Sequence, residues 1–150
     1  MKLSDISIQT SKQVFHSLSW DVKVDDELIE NLMAEARKNS HRKSRFCLHP
    51  KPSEYMQVTY LAFISPYEDK IHKHPFRPEA LIPIMGEAEA RIFDNHGNIV
   101  KTELMIGGLG HTFSTESGQW HSLRVVSTEF VMIEIGVGPF RSDSTVFLND

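Results

Sequence analysis

The residues best suited to chemistry are two histidines two positions apart with a carboxylate and a glycine after them, His72, His74, Glu79 and Gly86, in the spacing H-x-H-x4-E-x6-G. About forty residues on, Gly110-x5-Glu116-x-Gly118-x2-His121 supplies another histidine on a separate expected strand. Three neutral imidazoles and one carboxylate make a ligand set suited to first-row divalent metals. In an octahedral arrangement two positions stay open for water, oxygen or a chelating substrate, and an open position separates a catalytic from a purely structural site. We therefore expect His72, His74, Glu79 and His121 to hold one divalent transition-metal ion: iron, manganese, nickel or zinc. A lone H-x-H is more often a surface or core pair. The register with Glu79, Gly86, Gly118 and His121 turns the reading toward a metal, with an empty barrel as the alternative. Gly86 and Gly118 read as turn residues rather than substrate contacts.

Weaker candidates surround this set. Arg45, Cys47 and His49 alternate on one face of an expected strand and, with Tyr60, can line a pocket mouth. The planar fork of Arg45 suits a carboxylate or phosphate, against the equal alternative of a solvated Arg and a hydrogen-bonded His. Glu134 interrupts the apolar run 130–137. It faces either the interior, as a general base or a partner to a ligand, or water, and the pattern leans to water. His49 and Glu134 are the candidate catalytic bases; Arg45 and Tyr60 are the candidate ligand-binding residues. Trp120 reads as core or rim packing. His16, His41, His96 and His111 lack ligand spacing. Cys47 is the only cysteine, so no internal disulfide can form and no thiolate zinc site is expected, which fits the cytosol.

The elements that must position these groups are mostly strands. Residues 25–38 carry Leu28, Ile29, Leu32, Met33 and Ala36 at helical spacing, with Asp25 as N-cap and Val24 and Ile29 placed for a hydrophobic staple. Acidic residues in the first turn and Arg37 and Lys38 in the last suit the helix dipole. From Ser44 onward short period-two segments separated by turn clusters predict strands at 44–49, 56–64, 70–74, 79–85, 87–93, 98–105, 111–114, 120–126 and 129–137. In one of them Ala88, Ala90 and Ile92 share a face opposite Glu87, Glu89 and Arg91. Asp94-Asn95-His96-Gly97 has hairpin-turn chemistry. His72 and His74, about 6.6–7 Å apart along a strand, can then face inward together. Glu79 follows a turn built around Pro75 and Pro78. The chain of 150 residues, 40% hydrophobic and 24% charged, fits a single all-β domain, with 1–43 as a helical extension packed outside and 44–150 as the barrel.

The two strings resemble the half-motifs of cupin barrels, the second following G-x5-P-x-G-x2-H with Glu116 where proline is usual. That departure affects a turn residue, not a ligand. The chain is further similar to the WbuC-like cupin-fold metalloproteins, through Arg45-Phe46-Cys47-Leu48-His49, His72-Lys73-His74-Pro75-Phe76 with Glu79, Gly118-Gln119-Trp120-His121 and Gly138-Pro139-Phe140. The resemblance implies a cupin (double-stranded β-helix, jelly-roll) fold, the same four ligands, and a bacterial cytoplasmic protein handling a sugar or nucleotide-sugar in surface-polysaccharide (O-antigen) biosynthesis. Three functions remain open: a metal-dependent sugar isomerase or epimerase, an iron-dependent dioxygenase, and a non-catalytic metal-dependent binding module. Whether the site is catalytic is not decided by the residues. A net charge of -4 argues against a phosphate-backbone binder. No apolar run approaches the roughly 18 residues of a membrane helix. An antiparallel barrel leaves strand edges that a second copy can cover, so a homodimer is expected.

Overall fold

Alternation with a period of two decides which side chains enter the interior, and the computed structural model, which describes residues 2–149, follows it closely. Twelve strands form two sheets among the described residues. The first runs β1 (Ser7–Ser11), β2 (Val14–Ser17), β3 (Lys43–Cys47), β4 (Met56–Ile64), β11 (Glu129–Val137), β6 (Glu79–Met85), β9 (Phe113–Thr115). The second runs β12 (Val146–Phe147), β5 (His72–Lys73), β10 (Trp120–Val125), β7 (Glu87–Phe93), β8 (Ile99–Ile106). The order β4-β11-β6-β9 facing β5-β10-β7-β8 is that of a jelly roll, the expected all-β class.

Helix α2 (Asp26–Lys38) lies outside, as its apolar stripe requires. The Asp25 carboxylate accepts from the Leu28 N–H at 3.1 Å and caps it. Leu28, Leu32, Met33 and Ala36 are buried against Phe46, Ala62 and Val131 on the outer face of the larger sheet, with Val24 and Ile29 packed on the same cluster. Ser44 Oγ donates to the Leu32 carbonyl at 2.6 Å, tying helix to strand.

The N-terminal segment departs from expectation. Residues before 44 are more than a helical extension: a short helix α1 (Leu3–Ile6) and two strands precede α2, and β2 pairs with β3 in parallel, so the larger sheet is not wholly antiparallel. These strands are five and four residues long. In β1 all side chains after Ser7 are exposed, so there is no apolar alternation to read. Among the described residues no helix is long and apolar enough to cross a membrane.

Inside, the barrel is divided along its length. Leu61, Phe63, Leu81, Ala88, Ala90, Ile92, Met105, Phe113, Leu123, Phe130 and Met132 fill one end. The polarity then changes at a common level: Cys47, Thr59, Glu134 and Leu81 form one row across four strands, and Gln57, Gly136 and Glu79 the row beyond. His121 similarly follows Leu123 along β10. The apolar half supplies the core, while the other half is free to hold polar groups.

Two glycines separate backbone conformation from space. Gly86 has φ +79°, and a Cβ there would press into the Glu129 carbonyl. Gly118 has φ +76° with nothing within 4 Å of that position. We predict that Gly118→Ala costs about 1 kcal/mol, the left-handed penalty alone, while Gly86→Ala costs roughly 3 kcal/mol because overpacking is added. Urea unfolding of both variants checks this; equal losses would contradict it.

Candidate metal centre

The second sheet brings the three histidines together. His72 on β5 is the direct cross-strand partner of His121 on β10. His74 lies just past the end of β5, which is shorter than the expected 70–74, and its carbonyl accepts from Gly118 N–H at 2.8 Å. The ring centroids are 4.3 Å apart for His72 and His121, 5.2 Å for His72 and His74, and 5.3 Å for His74 and His121. One nitrogen from each ring lies within 4.8 Å of the others. Pro75 and Pro78 bracket the turn that delivers Glu79 at the start of β6, where its Oε1 is 2.8 Å from His74 Nε2.

Backbone carbonyls fix which nitrogen faces the centre. Nδ1 of His72 lies 2.8 Å from Lys70 O, Nδ1 of His74 3.0 Å from Ser144 O, and Nδ1 of His121 2.8 Å from Gln119 O. A carbonyl can only accept, so each Nδ1 carries a proton and each Nε2 presents its other face inward. This is the orientation in which metal-binding imidazoles are ordinarily held. His121 Nε2 is buried and has no hydrogen-bond partner. A buried polar atom left without a partner is costly, and a cation at this point would complete it. The donor set therefore fits a divalent transition metal.

The electrostatics agree. Burial pushes the His121 pKa down to about 4, with the nearby His72 adding to the shift, and burial also lowers that of His72. Burial thus disfavours the charged form of both rings, with the single proton on Nδ1 and none on Nε2. His74 differs: burial opposes its charge, but the Glu79 carboxylate against Nε2 outweighs this and raises its pKa. Glu79 is only 4% exposed. Burial alone would raise its pKa, yet the hydrogen bond and charge of His74, with Arg77, hold it below the usual range.

Beside this cluster, bounded by His72 and His74 but not by Glu79 or His121, lies a cavity of ≈ 370 Å³ whose lining also includes Lys43, Arg45, Arg77 and Glu134. Arg45, Arg77, Glu134 and Phe140 also line a smaller lobe of ≈ 160 Å³ that holds His16, Cys47, His49, Gln57 and Thr59. Arg45 and Cys47 enter the interior as their alternation predicted, and His49 follows beyond the strand end. His49 lies in the smaller lobe and not in the lining of the larger one, with Nδ1 3.1 Å from Val58 N–H.

Several expectations are corrected. Tyr60 does not line the pocket: it is the cross-strand partner of Phe46, shares the face packed against α2, and stands opposite the face of Arg45. Glu134 does not face bulk water; as the partner of Thr59 it lines both lobes, and burial, then Glu79, pushes its carboxyl up to about 7. His16 and Cys47 do belong to a possible ligand cluster, since the parallel pairing of β2 with β3 sets them side by side with His49 nearby. Burial pushes the Cys47 thiol up to about 11, so it is a neutral, poor ligand. Trp120 is a rim residue bonded to Asn95 Oδ1 at 3.1 Å, while His41, His96 and His111 are exposed.

Two groups escaped the sequence reading. Arg77 donates to Gln57 Oε1 at 3.2 Å and to Glu79 Oε1 at 3.3 Å; only its place between the two motif prolines hinted at a fixed position. Lys43 donates to Tyr67 Oη at 2.8 Å, and Tyr67 donates to Asp69, forming a short polar chain at the cavity edge. Burial, with Arg45 beside it, pushes Lys43 down to about 8.

The sequence profile of one family, described as "Domain of unknown function (DUF6016)", matches residues 24–105, more than half of the chain. The chain belongs to the DUF6016 family. No curated protein sequence matches this DUF6016 chain. Among solved structures it is similar to the capsular polysaccharide assembling protein CapF from Staphylococcus aureus, with 16% identity, a TM-score of 0.64, and coverage of 75% of this chain and 33% of CapF. It is also similar to recombinant oxalate oxidase in complex with glycolate, at 17% identity, a TM-score of 0.59, and coverage of 73% of this chain and 57% of the oxidase. An uncharacterized conserved protein with a double-stranded β-helix domain from Klebsiella pneumoniae matches at 15% identity and a TM-score of 0.52, over 65% of this chain and 74% of that one. The DUF6016 chain thus spans about a third of CapF and a little over half of the oxidase. The shared feature is the fold, a cupin-type double-stranded β-helix.

The depressed His121 pKa gives a signed prediction for metal-free protein. A histidine that stays neutral when folded but takes a proton near pH 6.5 when unfolded loses its stabilising contribution as pH falls from about 6.5 toward 4. The difference in unfolding free energy between parent and His121→Gln should fall by roughly 2–3 kcal/mol from pH 7 to pH 4. Chemical denaturation across that range tests it, and a difference independent of pH would contradict it.

Proposed function

We propose that His72, His74, Glu79 and His121 hold one divalent metal ion, and that the protein is a WbuC-like cupin acting as a metal-dependent isomerase or epimerase on a sugar or nucleotide-sugar. The observation that carries this reading is the inward presentation of Nε2 by three carbonyl-anchored imidazoles beside a buried carboxylate. The structural likeness to a capsular polysaccharide assembling protein supports placing the substrate in surface-polysaccharide chemistry. The ligands solved with the neighbours, glycolate and a tropolone, are compact oxygen chelators, which suits a cavity of this size.

A divalent ion bound there supplies Lewis-acid polarisation of a substrate carbonyl or hydroxyl oxygen. The chain must supply the proton transfer. Glu134 lines the same cavity as His72 and His74, and its carboxyl, raised to about 7, can accept a proton from a substrate carbon and return it near neutral pH. His49 is the less suitable base because it lies in the other lobe. A base in the cavity favours proton transfer over simple ligand carriage.

In protein purified without chelator or affinity-column nickel, His74→Ala and His121→Ala should each lose most of the bound metal and part of the thermal stability, since a metal that binds only the folded form stabilises it. His96→Ala, in the β7–β8 turn, should keep both. Glu134→Gln should keep the metal but abolish exchange of a substrate's carbon-bound hydrogen with deuterated water. Full metal content in both histidine variants would reject the site, and unchanged exchange in Glu134→Gln would reject the base.

A further inference from the structure

Two buried arginine nitrogens lack partners where the cavity lobes meet. Arg45 Nε and Arg77 Nε are each buried without a hydrogen-bond acceptor. Both residues line the larger lobe beside His72 and His74, and the smaller lobe beside His49 and Gln57. A buried N–H left unsatisfied costs about 1–3 kcal/mol, so a pair of them on one wall marks a place where an acceptor is expected.

The wall is built to keep these groups in place. Arg77 is 9% exposed, and its guanidinium lies over Gly136, where an added Cβ would sit 3.6 Å from Nη1. Gln57 and Glu79 hold the two ends of the guanidinium. Arg45 lies on the interior face of β3, opposite Leu61, next to the position of Lys43 on the same face. Nearby negative charge is partly engaged elsewhere, with Asp69 closest to Lys43 in its effect. Glu79 bonds both His74 and Arg77, and Asp69 accepts from Tyr67. The remaining carboxyl, Glu134, is pushed up to about 7 by burial and is only partly ionised near neutrality. Arg77 is thus paired with Glu79, while Arg45 faces the same cavity with no ion pair among the described residues, and guanidinium groups favour planar or forked oxyanions.

We propose that Arg45 and Arg77 form an oxyanion subsite that takes a carboxylate or phosphate of the substrate while a neighbouring oxygen of the same molecule faces the His72, His74 and His121 cluster. This rests on the metal-site reading above for the second contact only. It narrows the substrate class to a sugar acid or a sugar phosphate, including a nucleotide-sugar, and excludes an uncharged sugar as the preferred ligand.

The test uses calorimetric titration of inorganic phosphate and of glycolate into full-length protein stripped of metal, with the chelator dialysed away. The parent should bind at least one probe, and the tighter one distinguishes a phosphate from a carboxylate. Arg45→Gln should weaken that binding about tenfold or more, and Arg45→Lys, which keeps the charge but not the fork, by less. Arg45 makes no ion pair among the described residues, so both variants are expected to fold; Arg77, held by Glu79 and Gln57, is left intact. His96→Ala, in the exposed β7–β8 turn, should bind the probe within about twofold of the parent, and a loss there as large as that of Arg45→Gln would overturn the subsite. Arg45→Gln binding as tightly as the parent, or neither probe binding the parent, would overturn the subsite. Failure of the metal reading has a separate signature, retention of metal by His74→Ala and His121→Ala.

Discussion

A carboxylate as deeply buried as Glu79 has to be compensated, and the polar end of the barrel is arranged around that requirement. Removing the partner of a buried charge costs about 3–5 kcal/mol, so neither His74 nor Arg77 is free to move independently of it. Both contact the same oxygen, Oε1, at 2.8 Å and 3.3 Å. Each is held in turn from behind: His74 by Ser144 O and Thr145, and Arg77 by Gln57. The C-terminal segment, whose β12 pairs with β5, is thereby part of the site. In metal-free protein His74 Nε2 and Glu79 Oε1 share a hydrogen bond at 2.8 Å, and a metal held by both residues would require that proton to leave. Proton and metal compete for one place.

The same requirement explains why the interior is divided lengthwise. Charged groups cannot be scattered through a jelly-roll core without losing the apolar contacts that stabilise it. Here the change from Leu61 to Thr59, from Met132 to Glu134, from Leu81 to Glu79 and from Leu123 to His121 occurs one alternation step along each strand. Phe63, Phe130 and their neighbours provide the packed end against which the polar rows are fixed. Helix α2 and the outer face of the larger sheet form a second apolar cluster, so the site borders on two packed regions.

Much of this was legible in the sequence, and the reasons for the rest are specific. Strands β4, β6, β7 and β11 lie within the same bounds as predicted because each has clear alternation or an apolar run between turn residues. The three histidines and Glu79 were identified by spacing, since the motif fixes both their separation and the turns that deliver them. Tyr60 was misplaced because its face depends on the β3–β4 register, which sets it beside Phe46 and not Arg45. Glu134 looks like a solvent residue in the sequence because an isolated carboxylate in an apolar run gives no sign of the arginines that line the same cavity. The pairing of His16 with Cys47 is a long-range parallel contact with no local signature. Arg77 depends on Gln57, twenty residues away in sequence, whose contact with it appears only once the strands are paired.

X-ray absorption spectroscopy at the edge of the native metal, on protein loaded to one equivalent, tests the central claim most directly. The account predicts a shell of nitrogen and oxygen at about 2.0–2.2 Å, with the outer-shell scattering of three imidazoles and no sulfur. Among the described residues two clusters can offer ligands, and only that of His16, Cys47 and His49 contains a thiol. A sulfur scatterer at about 2.3 Å would put the metal there and contradict the assignment to His72, His74, Glu79 and His121.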